Sequence, residues 1–216
     1  MTALHVIETE TARRADHLHA LRSVPEGATL FREADPVTHL FELRTGVLRL
    51  TRVLETGRRQ VVAFAHPGDV VGFPAGGLHH CDCEALTPAT LAVHRRAALE
   101  GGGTDPALHR RLQAAALREI AALQDHLLLL ARKGARGKLA SFLLNMIDAH
   151  GQARGGHAVL ELEMPRADIG DYLCMTVETV SRTLTQMRAA GIIRLDGCQR
   201  IVLLDREGLM EMAGAE

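Results

Sequence analysis

The sequence predicts an α+β chain in three parts: an N-terminal antiparallel sheet or roll, one long amphipathic helix, and a C-terminal segment of short helices closed by a β-hairpin. Three observations support this prediction. Up to about residue 100, short apolar segments alternate with turn-forming residues. From Thr104 onward, apolar residues recur at spacings of three and four, and beyond residue 135 two short helical patterns precede an Asp-Gly turn. We place the boundaries at 1–103, 104–134 and 135–216.

The N-terminal part is expected to be an antiparallel sheet because its turn signals separate alternating segments. Turn residues stand at 45–46, 55–57 and 66–69. The segments between them, 46–54 and 59–64, alternate apolar and polar residues as half-buried strands do.

The middle part begins with Asp105-Pro106, an acidic cap followed by a proline in the first helical turn. The pattern continues to Lys133-Gly134, which is longer than most helices of globular proteins and is typical of a seam between two helices. Packing on the helix's own domain is the alternative. The residues predicted for a dimer seam are Leu112, Ala116, Ile120, Leu123, Leu127 and Leu130.

The C-terminal part contains two short helical segments on either side of Cys174-Met175-Thr176. Each segment carries an apolar stripe, so the two can bury facing surfaces against each other. A helix and a short strand precede them, and apolar strands flank Asp196-Gly197 after them, which is a strong hairpin signal. This is the order of a winged helix-turn-helix. The stripes are Ile169 and Leu173 in the first segment, and Val180, Leu184 and Met187 in the second.

The second helix of this motif presents a polar face suited to reading DNA. Glu178, Ser181 and Arg182 share one side at spacings of three and four, and Thr176 is a good N-cap. In the major groove, arginine donates to guanine, glutamate accepts from cytosine, and serine fits thymine or a phosphate. An ordinary solvated face is the alternative, but the position between a tight turn and a hairpin favours DNA. The predicted DNA-binding residues are Thr176, Val177, Glu178, Thr179, Ser181, Arg182, Arg166 and Arg188.

The strongest motif is MPRADIGDYLCMTVETVSRTL at residues 164–184, which resembles the signature of the Crp/Fnr superfamily of bacterial transcription regulators. LQDHLLLL at 123–130 and GKLASFLL at 137–144 resemble the family's dimer helix and the helix after it. The resemblance covers nearly the whole chain. Within it, VETVSR at residues 177–182 is typical of the Fnr and FixK branches of the superfamily.

This resemblance implies an N-terminal β-roll related to cyclic-nucleotide-binding domains, a long dimerisation helix and a homodimer. It also implies that the protein is a transcription activator that binds double-stranded DNA at TTGA-type palindromes and has RNA polymerase as a partner. Glu178, Ser181 and Arg182 would then read the bases.

Departures from the family argue against two of its known effectors, a cyclic nucleotide and an iron–sulfur cluster, and leave open whether the roll binds another; we predict no cofactor. The stretch from Gly72 to Val93, where cyclic-nucleotide sensors hold the phosphate, contains no arginine. The first cysteine is Cys81, so the N-terminal ligands of an oxygen-sensing iron–sulfur cluster are missing. The chain therefore resembles the FixK branch, whose members need no effector.

His79-His80-Cys81-Asp82-Cys83 is the one segment that suggests a metal. The signal is weak because neighbouring residues of an extended segment point in opposite directions. None of the twelve histidines is singled out as a haem ligand by spacing. A metal- or haem-sensing regulator of the same superfamily stays an alternative. A metalloenzyme on a cupin-like barrel would leave the C-terminal third unexplained, so we predict no catalytic residues and no enzyme.

The charge of the chain does not decide between a DNA-binding protein and a protein-binding adaptor. The net charge is −1, and residues 154–216 contain seven arginines against ten acidic residues, which slightly favours a protein-binding adaptor. Five of those arginines lie in or beside the helix-turn-helix and the hairpin, where DNA phosphates would pass. No apolar run of about 18 residues and no signal peptide is found, so we expect a cytoplasmic protein with reduced thiols and no membrane partner.

Cys174 stands in the turn of the motif, where relatives commonly have glycine. A left-handed backbone at this position costs a non-glycine residue about 1 kcal/mol or more. The N-terminus of the following helix favours a nearby thiolate, and oxidation would add bulk and negative charge close to DNA. We therefore predict a redox role for Cys174; the alternative is a small residue that the turn tolerates.

Overall fold

The computed structural model describes residues 21–100, 105–197 and 199–214. Within residues 21–100, eight strands form two four-stranded sheets, in the orders β1-β8-β3-β6 and β2-β7-β4-β5. The predicted antiparallel roll is confirmed, and the two strands expected at 46–54 and 59–64 are β4 and β5. The strands are β1 Leu21–Val24, β2 Thr29–Phe31, β3 His39–Thr45, β4 Leu48–Val53, β5 Arg59–Ala65, β6 Val70–Val71, β7 Asp82–Ala85 and β8 Ala89–Arg95.

The turn between β3 and β4 requires a glycine. Gly46 has a φ of +87°, and a Cβ built there would lie 2.5 Å from the carbonyl oxygen of Pro88. This is the physical basis of the turn signal at Thr45-Gly46. The fully buried side chains of the roll come from both sheets, among them Leu40, Leu43 and Leu91 from one and Leu48 and Cys83 from the other.

Helix α1, Pro106–Arg132, begins and ends where the sequence predicted. The carboxylate of Asp105 accepts hydrogen bonds from the backbone N–H groups of Ala107 and Leu108 at 2.9 and 3.0 Å. These bonds satisfy two of the N–H groups that a helix start leaves without intrahelical partners.

The C-terminal elements form a winged helix-turn-helix, as predicted. The sheet has the order β11-β12-β10-β9 with antiparallel neighbours. Strand β9 and helix α5 were not predicted. The elements are α2 Ala135–His150, β9 Gln152–Arg154, β10 His157–Glu161, α3 Arg166–Leu173, α4 Val177–Ala189, β11 Ile193–Asp196, β12 Arg200–Leu203 and α5 Arg206–Gly214.

The chain divides into two compact units. One contains Phe64–Ala116 and the described residues up to Arg49; the other contains Leu50–Ala63 and the described residues from Leu117 onward. The tip of the β4–β5 hairpin therefore belongs to the same unit as the helix-turn-helix. The boundaries 1–103, 104–134 and 135–216 stay a prediction. Among the described residues, no helix has the length and apolar character needed to cross a membrane.

Candidate nucleic-acid interface

The turn between α3 and α4 is a Schellman motif. The N–H of Met175 donates to the carbonyl of Gly170 at 2.8 Å, and the N–H of Cys174 donates to the carbonyl of Asp171 at 3.5 Å. Cys174 occupies the left-handed position, with φ 54° and ψ 46°. The left-handed backbone predicted for this cysteine is confirmed, and the turn fixes the direction in which α4 leaves α3.

Gly170 makes this turn possible, and sequence analysis missed its role. A Cβ at residue 170 would lie 2.8 Å from the carbonyl oxygen of Met175, which is too close for any side chain. The available signal was a glycine inside a helical pattern, which is unfavourable unless close packing requires it.

A shared apolar core holds α3 and α4 together. All five residues of the predicted stripes are at most 1% exposed, so the prediction that the two helices bury facing surfaces is confirmed. With the apolar sides of both helices buried, the polar side of α4 must face outward. The buried stripe residues are Ile169, Leu173, Val180, Leu184 and Met187.

Thr176 caps α4 as predicted. Its Oγ1 accepts a hydrogen bond from the backbone N–H of Thr179 at 3.2 Å, and the two hydroxyl groups lie 3.1 Å apart. Val177, which follows the cap, is exposed although it is apolar. An exposed apolar side chain at the start of a capped helix is available to contact a thymine methyl group.

The outward face of α4 combines an acceptor and a donor. Glu178 and Arg182 are exposed, and Ser181 is half-buried between them. Hydrogen bonds from its own backbone N–H and from the Thr176 side chain lower the pKa of Glu178 below its usual value. Glu178 is therefore a pure acceptor at neutral pH, whereas the Arg182 guanidinium is a pure donor.

The two remaining predicted arginines lie apart from each other. Arg166, at the start of α3, donates from Nη1 to Ser181 Oγ over a long 3.4 Å, so the structure brings it to the outward face of α4. Arg188 is exposed at the opposite end of α4, about 15 Å along the helix from Glu178 at 1.5 Å per residue. It is too distant to act on the same base pair.

The arginines of the β11–β12 hairpin are paired with carboxylates. Arg194 donates to both oxygens of Asp196, at 2.9 and 3.2 Å, and its hydrogen bond lowers the pKa of Asp196. Arg200 donates to Glu161 at 2.6 Å. Arg194, Asp196 and Arg200 line one open groove of the sheet together with Arg154. Because each charge is partly neutralised, this face attracts phosphates less strongly than the arginine count suggests.

The predicted dimer seam needs one correction. Leu112 is 1% exposed within a single chain, so it belongs to the core of its own unit and offers no surface to a second copy. Ile120, Leu123 and Leu127 are exposed, with Leu127 at 66%, while Ala116 and Leu130 are half-buried. An exposed apolar stripe therefore begins after Ala116. Leu117 and Leu128, which sequence analysis left out, are exposed beside it.

The histidine and cysteine segment at residues 79–83 is buried in the roll at His79, Cys81 and Cys83, whereas His80 is exposed. Cys81 and Cys83 are almost inaccessible, and burial raises the pKa of the Cys83 thiol. The His79 ring stacks on Phe31 with 3.8 Å between ring centroids. Within residues 21–100, 105–197 and 199–214, no three histidine, cysteine or acidic side chains are placed to hold a metal ion. Cys198 lies outside the described residues.

The roll, the long helix and the capped α4 define a winged helix-turn-helix regulator with an N-terminal β-roll. Residues 137–212 match the Crp-like helix-turn-helix domain, and residues 21–101 match the cyclic nucleotide-binding domain.

Relatives match nearly the whole chain. The nitrogen fixation regulation protein FixK of Azorhizobium caulinodans is 34% identical over 212 residues, which cover 96% of this chain and 86% of the relative. The transcriptional activator protein FnrL of Cereibacter sphaeroides is 32% identical, over 96% of this chain and 86% of the relative. The structure of FixK2 from Bradyrhizobium japonicum superposes with a TM-score of 0.82 at 36% identity, over 91% and 98% of the two chains. The chain belongs to the Crp/Fnr family and is a DNA-binding transcription regulator of the FixK and Fnr type.

Proposed function

We propose that the protein is a homodimeric transcription activator that reads TTGA-type palindromes with α4. The observation that supports this most is the outward face of α4, where Glu178 and Arg182 are both exposed one helical turn apart, just after the Thr176 cap. A hydrogen-bond acceptor and a hydrogen-bond donor one helical turn apart can read neighbouring base pairs. We infer activation from the likeness to FnrL of Cereibacter sphaeroides, a transcriptional activator protein, and activation would require RNA polymerase as a partner.

Dimerisation is supported by the exposed stripe on α1. Ala116, Ile120, Leu123, Leu127 and Leu130 alternate spacings of four and three, which keeps them on one side of the helix. A parallel second copy would bury the same residues, and the two-fold symmetry would present two copies of α4 to a palindrome.

Arg166 and Arg188 are assigned to the DNA backbone rather than to bases. Arg166 reaches the Ser181 hydroxyl from a neighbouring helix, so it lies at the edge of the reading face. Arg188 lies at the far end of α4, where a phosphate of the groove wall is a nearer partner than a base. These contacts contribute affinity and register without sequence preference.

Binding titrations test the proposal. At one fixed salt concentration, the wild-type protein should bind a duplex with a TTGA-type palindrome at least about a thousandfold more tightly than a scrambled duplex of the same composition. Fluorescence anisotropy with unlabelled competitor DNA measures this ratio. Equal affinity for the two duplexes would contradict sequence-specific reading.

Oxidation of Cys174 is proposed to weaken DNA binding. The thiol is exposed in the turn, and its Sγ lies 3.8 Å from Gln60 Oε1. A lone pair of the thiolate sulfur attacks one oxygen of hydrogen peroxide; an S–O bond forms as the O–O bond breaks and hydroxide leaves. The sulfur then attacks a second peroxide: another S–O bond forms as the O–O bond breaks, and the departing hydroxide takes a proton and leaves as water. The sulfinic acid loses its proton to solvent and becomes a sulfinate. The added negative charge would stand beside the reading helix, close to the DNA phosphates.

Peroxide treatment of the wild type should lower affinity for the palindrome by about tenfold, the size expected for one added charge near a phosphate. The Cys174→Ala variant should keep its affinity. Cys81 and Cys83 are buried, so they react slowly in the folded protein. Equal losses in wild type and variant would remove Cys174 as the sensitive thiol and direct attention to Cys198.

A further inference from the structure

The β4–β5 hairpin, at residues 50–63, reaches the helix-turn-helix of its own compact unit. Its turn is closed by hydrogen bonds from the N–H of Leu54 to the carbonyl of Arg58 and from the N–H of Gly57 to the carbonyl of Leu54, at 2.9 and 2.8 Å. Arg59 and Gln60 follow immediately at the start of β5. By sequence, this hairpin lies inside the match to the cyclic nucleotide-binding domain, not inside the helix-turn-helix match.

Arg59 binds two carboxylates on one side of α3. Its Nη2 lies 2.5 Å from Asp168 Oδ1 and 2.9 Å from Asp171 Oδ2, and its Nε donates to the same Asp171 oxygen at 3.3 Å. The Asp168 side chain is only 2% exposed. A buried carboxylate is stable only with a counter-charge and hydrogen-bond donors, and Arg59 supplies both.

Gln60 extends the contact to the end of α3. Its Nε2 donates to the backbone carbonyl of Asp171, and the Cys174 thiol donates to its Oε1 at 3.8 Å. Asp171 and Cys174 are the residues joined by the 5→2 hydrogen bond of the Schellman turn. The hairpin therefore holds the last turn of α3 and the turn that directs α4.

We infer that Arg59 and Gln60 of the β4–β5 hairpin are positioning residues for DNA reading, which act by fixing α3 and the turn before α4. The four residues Arg59, Gln60, Asp168 and Asp171 are called the clasp. The inference rests on the proposed function, because it assigns the clasp a role in base reading. None of the four lies on the outward face of α4. Base contacts require donors and acceptors placed within about 0.5 Å, and such precision comes from the residues that support the reading helix.

A direct contact of Arg59 with a DNA phosphate is the competing explanation, since its side chain is 38% exposed. The two explanations predict different changes. Loss of a phosphate contact weakens binding to every sequence alike. It also reduces the magnitude of the salt slope, the slope of the logarithm of the binding constant against the logarithm of the salt concentration, by about one. Loss of positioning weakens the cognate site selectively and leaves that slope unchanged.

The experiment compares wild type with Arg59→Ala, Gln60→Ala and the control Arg58→Ala, which removes the same charge from an exposed neighbour in the hairpin. Hydrogen exchange without DNA is measured first. Arg59→Ala should speed exchange of the amides of Met175 to Thr179 by about tenfold, and the control should not. Affinity for the palindrome should fall by about tenfold in Arg59→Ala, with binding to random duplex and the salt slope unchanged.

A double-mutant cycle with Asp171→Ala tests whether Arg59 acts on DNA binding through its contact with this carboxylate. Arg59→Ala should cost less affinity for the palindrome on the Asp171→Ala background than on the wild type, because one of its two carboxylate partners is already lost and only the contact with Asp168 remains to be broken. Arg59→Lys keeps the charge without the forked geometry and should recover only part of the loss. If Arg59→Ala is unstable, the same measurements of hydrogen exchange, affinity and salt slope are made on Gln60→Ala.

The inference is overturned if Arg59→Ala leaves turn exchange and cognate affinity unchanged, or if it weakens both duplexes equally with a smaller salt slope. Failure of the proposed function looks different. In that case the wild type itself would show no preference for the palindrome, while the exchange measurement would still report whether the clasp holds the turn.

Discussion

Arg182→Ala is expected to make the free energy of binding to the palindrome less favourable by about 2 to 6 kcal/mol. A bidentate contact between arginine and guanine is worth about 1 to 3 kcal/mol, and a dimer loses two of them. The preference for a particular base should weaken at one base pair in each half-site and should stay unchanged at the other positions. Titrations against duplexes with single-base substitutions measure both quantities.

Arg188→Ala is the matched control, because it removes the same charge from the same helix about 9 Å further along. It should weaken all duplexes by a similar, smaller factor and reduce the salt slope. Glu178→Ala removes the neighbouring acceptor and should change base preference more than overall affinity. If Arg182→Ala keeps the wild-type base preferences, α4 does not read bases through this residue.

Leu127→Glu is expected to break the dimer and, with it, specific DNA binding. Leu127 is exposed in the single chain, so burial in a dimer would contribute about 1.5 to 3 kcal/mol per copy, and two facing glutamates repel each other as well. A monomer carries one reading helix and contacts one half-site. Sedimentation equilibrium and palindrome titration, performed on the same preparation, should show both losses.

Ala122→Glu is the matched control for this variant. Residue 122 is exposed and lies about 140° around the helix from Leu127, away from the stripe and from Leu117 and Leu128. It introduces the same charge and should leave assembly and binding unchanged. A wild-type chain that is monomeric at micromolar concentration and still binds the palindrome tightly would refute the role of the stripe.

Local patterns in the sequence predicted the reading helix well. The helical stripes and the Thr176 cap are determined by residues within a few positions, so spacing and side-chain type are sufficient to predict them. The left-handed backbone at Cys174 was expected from the family resemblance, because relatives commonly have glycine there. The Asp196-Gly197 hairpin is predictable for the same reason.

Long-range partners were not predictable. Leu112 fits the same helical stripe as Ile120, and periodicity alone does not tell whether a helix side is covered by the chain's own core or by a second copy. The pairing of Arg59 with Asp168 joins residues 109 positions apart, and no local pattern links them. The same holds for Arg200 and Glu161, which meet only because β12 pairs with β10.

The spacing between half-sites tests the central claim most directly. Two copies of α4 held by one two-fold axis must contact half-sites about one helical turn of DNA apart, on the same side of the duplex. Inserting about five base pairs, half a turn, between the half-sites turns them to opposite sides. Wild-type affinity for this duplex should therefore fall to the value measured for a single half-site. Unchanged affinity after the insertion would contradict a symmetric dimer that reads palindromes through α4.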